Sequence, residues 1–158
     1  MPRINIDRLP QLARRLQRFV KKVKSRLPVD CVILHGSAAR DDLTESSDLD
    51  VVVIGDFQGR QLDRMGLVQD LVPAGLPIEA FCYTREEFEA GVARGNPFLC
   101  EVKKWGRELS ADEPTELRHR GWEREERARK ARADQKANRA AGRFGSRPSR
   151  ARSEERAE

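Results

Sequence analysis

Apolar residues recur at helical spacing near the start of the chain. Leu9, Leu12, Leu16, Phe19, Val20, Val23 and Leu27 form one stripe, and Arg14, Arg15, Arg18, Lys21 and Lys22 fill the opposite face. Asp7 is the expected N-cap and Pro28 the expected stop. A strand is predicted over 29–34, followed by a turn at His35-Gly36-Ser37 and a polar loop over 41–47. A second strand is predicted over 49–54. Its continuous Val51-Val52-Val53 run suits a strand covered on both faces. A helix follows over 61–72, with Leu62, Met65, Val68, Leu71 and Val72 on its inner stripe. The third strand is 78–83. Thr84-Arg85-Glu86-Glu87 has a capping-box pattern for the next helix. Gly95-Asn96-Pro97 breaks that helix, and a last short one over 98–105 carries Phe98, Leu99, Val102 and Trp105, with Trp105 closing the core.

This order predicts an α/β fold, a small mixed sheet with helices on one face. The ordered domain is expected over 5–109. Beyond it, large apolar residues almost vanish, so 110–158 reads as a charged tail, partly helical or disordered.

Charge sharpens that division. Charged residues are 36% of the chain and the net charge is +5. Residues 1–110 contribute a net +1 and residues 111–158 a net +4. The tail's arginines suit nucleic-acid contact by counterion release, but interleaved glutamates favour a solvated tail. Three cysteines without a CxxC pair fit a reducing cytoplasm rather than a disulfide scaffold. No run reaches the roughly 20 apolar residues of a membrane span.

The chemistry concentrates between Leu34 and Val53. Gly36-Ser37 ends a strand and is expected to open a short helix, offering backbone N–H groups and a hydroxyl to a phosphate. Asp48 and Asp50 are two apart at the head of a strand, so both point to one face. Paired carboxylates repel unless a cation joins them, and hard oxygen ligands select Mg²⁺. Glu79, a charge inside the apolar third strand, completes the set if that strand pairs with the second. It could act as a metal ligand or as the base for an attacking hydroxyl. His35 and His119 are read as packing and solvated residues, respectively.

In these residues the chain resembles the nucleotidyltransferase superfamily that includes DNA polymerase beta. Within it, residues 5–109 resemble the minimal nucleotidyltransferases, whose motif is Gly-Ser, ten residues and Asp-x-Asp. Here Gly36-Ser37 precedes Ala38 to Ser47 and then Asp48-Leu49-Asp50. The resemblance extends to Glu79 and to Phe98-Leu99-Cys100-Glu101-Val102. It implies that Gly36, Ser37 and Arg40 hold the triphosphate of ATP or another NTP, while Asp48, Asp50 and Glu79 hold Mg²⁺ and carry the chemistry. Relatives of this type resemble antitoxins paired with a HEPN toxin, which implies AMP transfer to a tyrosine of that partner. The alternatives are transfer to a small molecule or an RNA 3′ hydroxyl, or a non-catalytic module that neutralises a partner by association. Two positions depart from the family's Gly-Ser-Arg-Ala-Arg-Gly run. Ala38 replaces its first arginine and Asp41 its glycine.

Overall fold

The computed structural model describes residues 9–142. The expected cap at Asp7 lies outside them, as do the last 16 residues of the tail that the sequence reads as partly helical or disordered.

The first compact unit, through residue 122, is built on a four-stranded sheet. In chain order it contains α1 (Leu9–Arg26), β1 (Val29–His35), β2 (Leu49–Gly55), α2 (Gln61–Gln69), β3 (Ile78–Tyr83), α3 (Arg85–Ala93), α4 (Pro97–Trp105) and β4 (Arg107–Glu108). The strand order is β3-β2-β1-β4. β1 pairs antiparallel with both β2 and β4, while β2 and β3 run parallel. A parallel pair needs a crossover connection, and α2 provides it.

Alternation along β2 sorts its side chains onto two faces. Leu49, Val51 and Val53 join a core with Val32 and Leu34 of β1, Ile78, Ala80 and Cys82 of β3, the buried stripe of α1 and Val68 of α2. Leu16, Phe19, Val20 and Val23 are fully buried there. Each such side chain contributes about 1.5–3 kcal/mol on leaving water. On the other face Val52 and Ile54 pack with Ile33, Phe81, Phe88, Phe98 and Val102, the last three supplied by α3 and α4. The mixed α/β sheet is as expected, but its helices divide between both faces. The unbroken Val51-Val52-Val53 run already required cover on each side.

Local signals place most elements. Thr84 Oγ1 accepts from the Glu87 N–H at 3.1 Å, and Glu87 Oε2 accepts from the Thr84 N–H at 2.9 Å, the reciprocal capping box. Asn96 caps α4 through Leu99 N at 3.2 Å, with Pro97 in its first turn.

Other positions differ from expectation. α2 stops at Gln69, and Leu62 is 78% exposed, because only Val68 of its expected stripe is fully buried in the core. Trp105 is 53% exposed, with the Lys104 ammonium 5.0 Å from its ring centre rather than core around it. The core runs past the expected 109/110 boundary, since Leu117 is buried within it. His119 is half-buried and bridges Leu43, not solvated in a tail.

The second unit, from residue 123, carries most of α5 (Arg120–Gly142). Residues 127–139 are exposed throughout, so no apolar stripe anchors them. Among the described residues no helix is long and apolar enough to cross a membrane.

Candidate active site

Three strands bring their ends together on the α3/α4 face. The register sets His35 opposite Asp50 and Asp50 opposite Glu79, one residue from each strand in a row across the sheet. Asp48 stands just before β2, two residues from Asp50. The parallel pairing of β2 with β3, on which the candidacy of Glu79 depended, brings Glu79 beside Asp50.

The electrostatics match this convergence. Burial pushes the Asp50 carboxyl above its ordinary range, and neighbouring Glu79 and Asp48 push it further, while His35 offsets part of the rise. Asp50 and Asp48 are half-buried and Glu79 is exposed. Excess negative charge at the end of an otherwise apolar face attracts a cation.

Gly36 begins the turn that follows β1. Its φ is +72°, and a Cβ added there would lie 2.6 Å from Asp50 Oδ2. Glycine is needed for both reasons: the left-handed backbone, and the closeness of the turn to the carboxylate. The chain then makes hydrogen-bonded turns, Arg40 N–H to Gly36 O at 3.2 Å and Asp42 N–H to Ser37 O at 2.8 Å. The expected short helix is only this turn, so helix-dipole assistance does not apply.

Asp41 has φ +56°, which explains why glycine suits its position in the resembling run. Asp is among the few side chains that tolerate that conformation. Its carboxylate is paired with Arg107 Nη2 at 2.5 Å. Arg107 also donates from Nε to Ala39 O at 2.9 Å and from Nη1 to Glu116 O at 3.3 Å. One guanidinium thus fastens the Gly36–Asp42 turn to β4. Ala38 is buried in the core. Arg40 pairs with Glu101 of α4 at 2.6 Å. Both of its pair's side chains are half-exposed, which leaves that guanidinium at the surface. Ser47 Oγ accepts from the Thr44 N–H at 3.0 Å, holding the loop that leads to Asp48.

His35 is buried, and its ring meets Phe98 edge-on at 5.1 Å; Phe98 also meets Phe81 at 5.3 Å. Phe98 therefore walls the inner side of the carboxylate row. Sequence reasoning missed the roles of Arg107 and Phe98. Alternation through Cys31 and Ile33 marks the face of His35, but no local signal marks Arg107.

The donor set is all oxygen and fits Mg²⁺. Among the described residues no three acidic, histidine or cysteine side chains close into a metal cage. Mg²⁺ does not require one, because it binds through one or two carboxylates and completes its shell with water and substrate phosphates.

The sequence model of the family described as "Nucleotidyltransferase domain" matches residues 16–108, which span β1, β2, β3 and all the candidate residues. No curated protein matches the chain. A solved structure from Sulfolobus solfataricus, named "putative nucleotidyltransferase", is similar at 17% identity and a TM-score of 0.49, covering 71% of this chain and 92% of that one.

Proposed function

The chain belongs to the nucleotidyltransferase domain family, and on that premise we propose that it transfers AMP from ATP to a tyrosine hydroxyl of a HEPN-type partner in the cytoplasm, acting as its antitoxin. The observation that supports catalysis is the row of Asp50 and Glu79 lying against the Gly36 turn. A phosphate-approachable backbone and paired carboxylates are the parts that nucleotidyl transfer requires. The acceptor and the base identity rest on the resemblance of the Gly36-to-Asp50 motif alone.

In this reading the Gly36-Ser37 turn seats the triphosphate, with N–H groups and the Ser37 hydroxyl as donors. Arg40 lies at the surface beside it and steadies a phosphate oxygen. Mg²⁺ held by Asp48, Asp50 and Glu79 supplies neutralisation of phosphate charge when bound. The acceptor oxygen bonds to the α-phosphorus, the bond from that phosphorus to the bridging oxygen breaks, and pyrophosphate leaves. Glu79, the exposed member of the row, takes the hydroxyl proton in this reading. Phe98 and Phe81 keep water from the inner side of the row.

The test is intact-mass measurement of a HEPN partner after incubation with the protein, ATP and Mg²⁺. The partner is expected to gain one nucleoside monophosphate, and the gain to vanish with Asp48→Ala/Asp50→Ala. Equal labelling by that variant would remove the site assignment. Neutralisation of the partner by the double variant without any mass gain would favour the binding-module reading.

A further inference from the structure

α5 carries a feature that the transfer site does not use. Residues 127–139 hold six cations, Arg127, Arg129, Lys130, Arg132, Lys136 and Arg139, against one carboxylate, Asp134. All are exposed. At 3.6 residues per turn, Arg129, Arg132, Lys136 and Arg139 fall within about 80° of arc and along about 15 Å of axis. Asp134 falls on the other side, with Arg127 and Lys130. Between residues 129 and 139 that arc holds no carboxylate; Glu125, one turn before Arg129 on the same arc, bounds the four-cation stripe on its N-terminal side.

Like charges at this spacing oppose one another and weaken the helix that carries them. Nothing apolar on the segment compensates, since its uncharged residues are alanines, Gln135 and Asn138. That composition decides between partners. A helix lying in a membrane surface needs an apolar face, and a coiled-coil partner needs an apolar seam; this segment has neither. A polyanion meets the stripe through charge alone, and guanidinium forks match phosphate oxygens in pairs. We propose that the Arg129–Arg132–Lys136–Arg139 stripe binds the phosphate backbone of a nucleic acid. The contact is independent of the transfer site and works by releasing counterions from the backbone.

The salt dependence of binding tests it. The full chain is titrated into labelled 20-mers, one single-stranded RNA and one duplex DNA, from 25 to 200 mM salt, and anisotropy is read. Four phosphate contacts give a log K against log salt slope of about −3.6 on the duplex and about −2.8 on the single strand. The tighter of the two identifies the source of the phosphates. Arg129→Ala/Arg132→Ala/Lys136→Ala/Arg139→Ala is expected to lose most of that slope. Its helix content by circular dichroism is expected to hold, because alanine is the best helix former. Arg127→Ala/Lys130→Ala is expected to keep the slope of the stripe. Absence of binding at 25 mM salt, an unchanged slope in the quadruple variant, or equal losses per cation in both variants would overturn the proposal.

Discussion

The two faces of β2 are made by alternate residues of one seven-residue strand, yet they do different things. Leu49, Val51 and Val53 meet a dry core along their whole length. On the other face Val52 and Ile54 are equally dry, but Asp50 opens onto a row of polar side chains. The comparison teaches that the site begins where the cover of α3 and α4 ends, at Phe98. One face holds the strand in place; the last residues of the other are left for chemistry.

Asp50→Asn separates the faces most sharply. Transfer is expected to fall on the order of 10³-fold, the scale of losing a preorganised electrostatic group. Stability moves the other way. The folded-state pKa of Asp50 is raised, so its stabilising contribution is present below the ordinary 3.8 and is lost as pH rises through the folded value. In chelator at neutral pH, where the carboxylate is charged, the variant is therefore expected to melt higher than the parent. A lower melting temperature would mean that Asp50 holds the fold together.

Leu16→Ala probes the opposite face. A fully buried leucine of α1 is expected to cost about 2–5 kcal/mol in urea unfolding. Transfer per folded molecule is expected to stay at the parent rate, because α1 touches none of the carboxylates. A large loss of specific activity would show that the faces are coupled.

Much of this contrast was legible in the sequence. The continuous Val51-Val52-Val53 run marked a strand covered on both faces, and the capping box at Thr84 fixed where α3 begins. The spacing of Gly36-Ser37 to Asp48 and Asp50 singled out those residues as a candidate site before any strand was paired. Pairing itself was not legible. The 50↔79 register depends on a parallel crossover made by α2, and no short-range pattern encodes that. Nor was β4, two residues long, or the reach of Arg107 from Gly106's neighbour back to the turn at Ala39. Both depend on contacts between residues some 70 positions apart. Leu62 and Trp105 misled because periodicity reports a face's direction and not whether another element covers it.

Arg107→Ala tests the fastening between the edge strand and the turn. Losing its hydrogen bonds and its pair with Asp41 is expected to cost about 1–3 kcal/mol. Displacement of the turn is expected to reduce transfer about 10- to 100-fold, chiefly through a raised KM for the NTP. A variant with parental KM would place the fastening outside the site's needs.

The smallest effect concerns Glu87, which lies away from both faces at the edge beside β3. The hydrogen bond from Arg64 at 2.7 Å, then the Thr84 N–H, holds its carboxyl below the usual 4.5. Its stabilisation is present above about that value and lost as pH falls through the lowered one. Glu87→Gln is expected to flatten the acid limb of a melting-temperature profile while leaving transfer at pH 7 unaltered.

Asp41 and Arg107 carry a consequence for how this sequence can change over generations. Asp41→Gly alone relieves a left-handed backbone and leaves Arg107 with its two carbonyl acceptors. Loss of Arg107 alone strands a half-buried carboxylate in that same conformation. The two substitutions are therefore epistatic and ordered: a lineage reaches the glycine-containing turn easily by changing position 41 first, and only afterwards is position 107 free to drift.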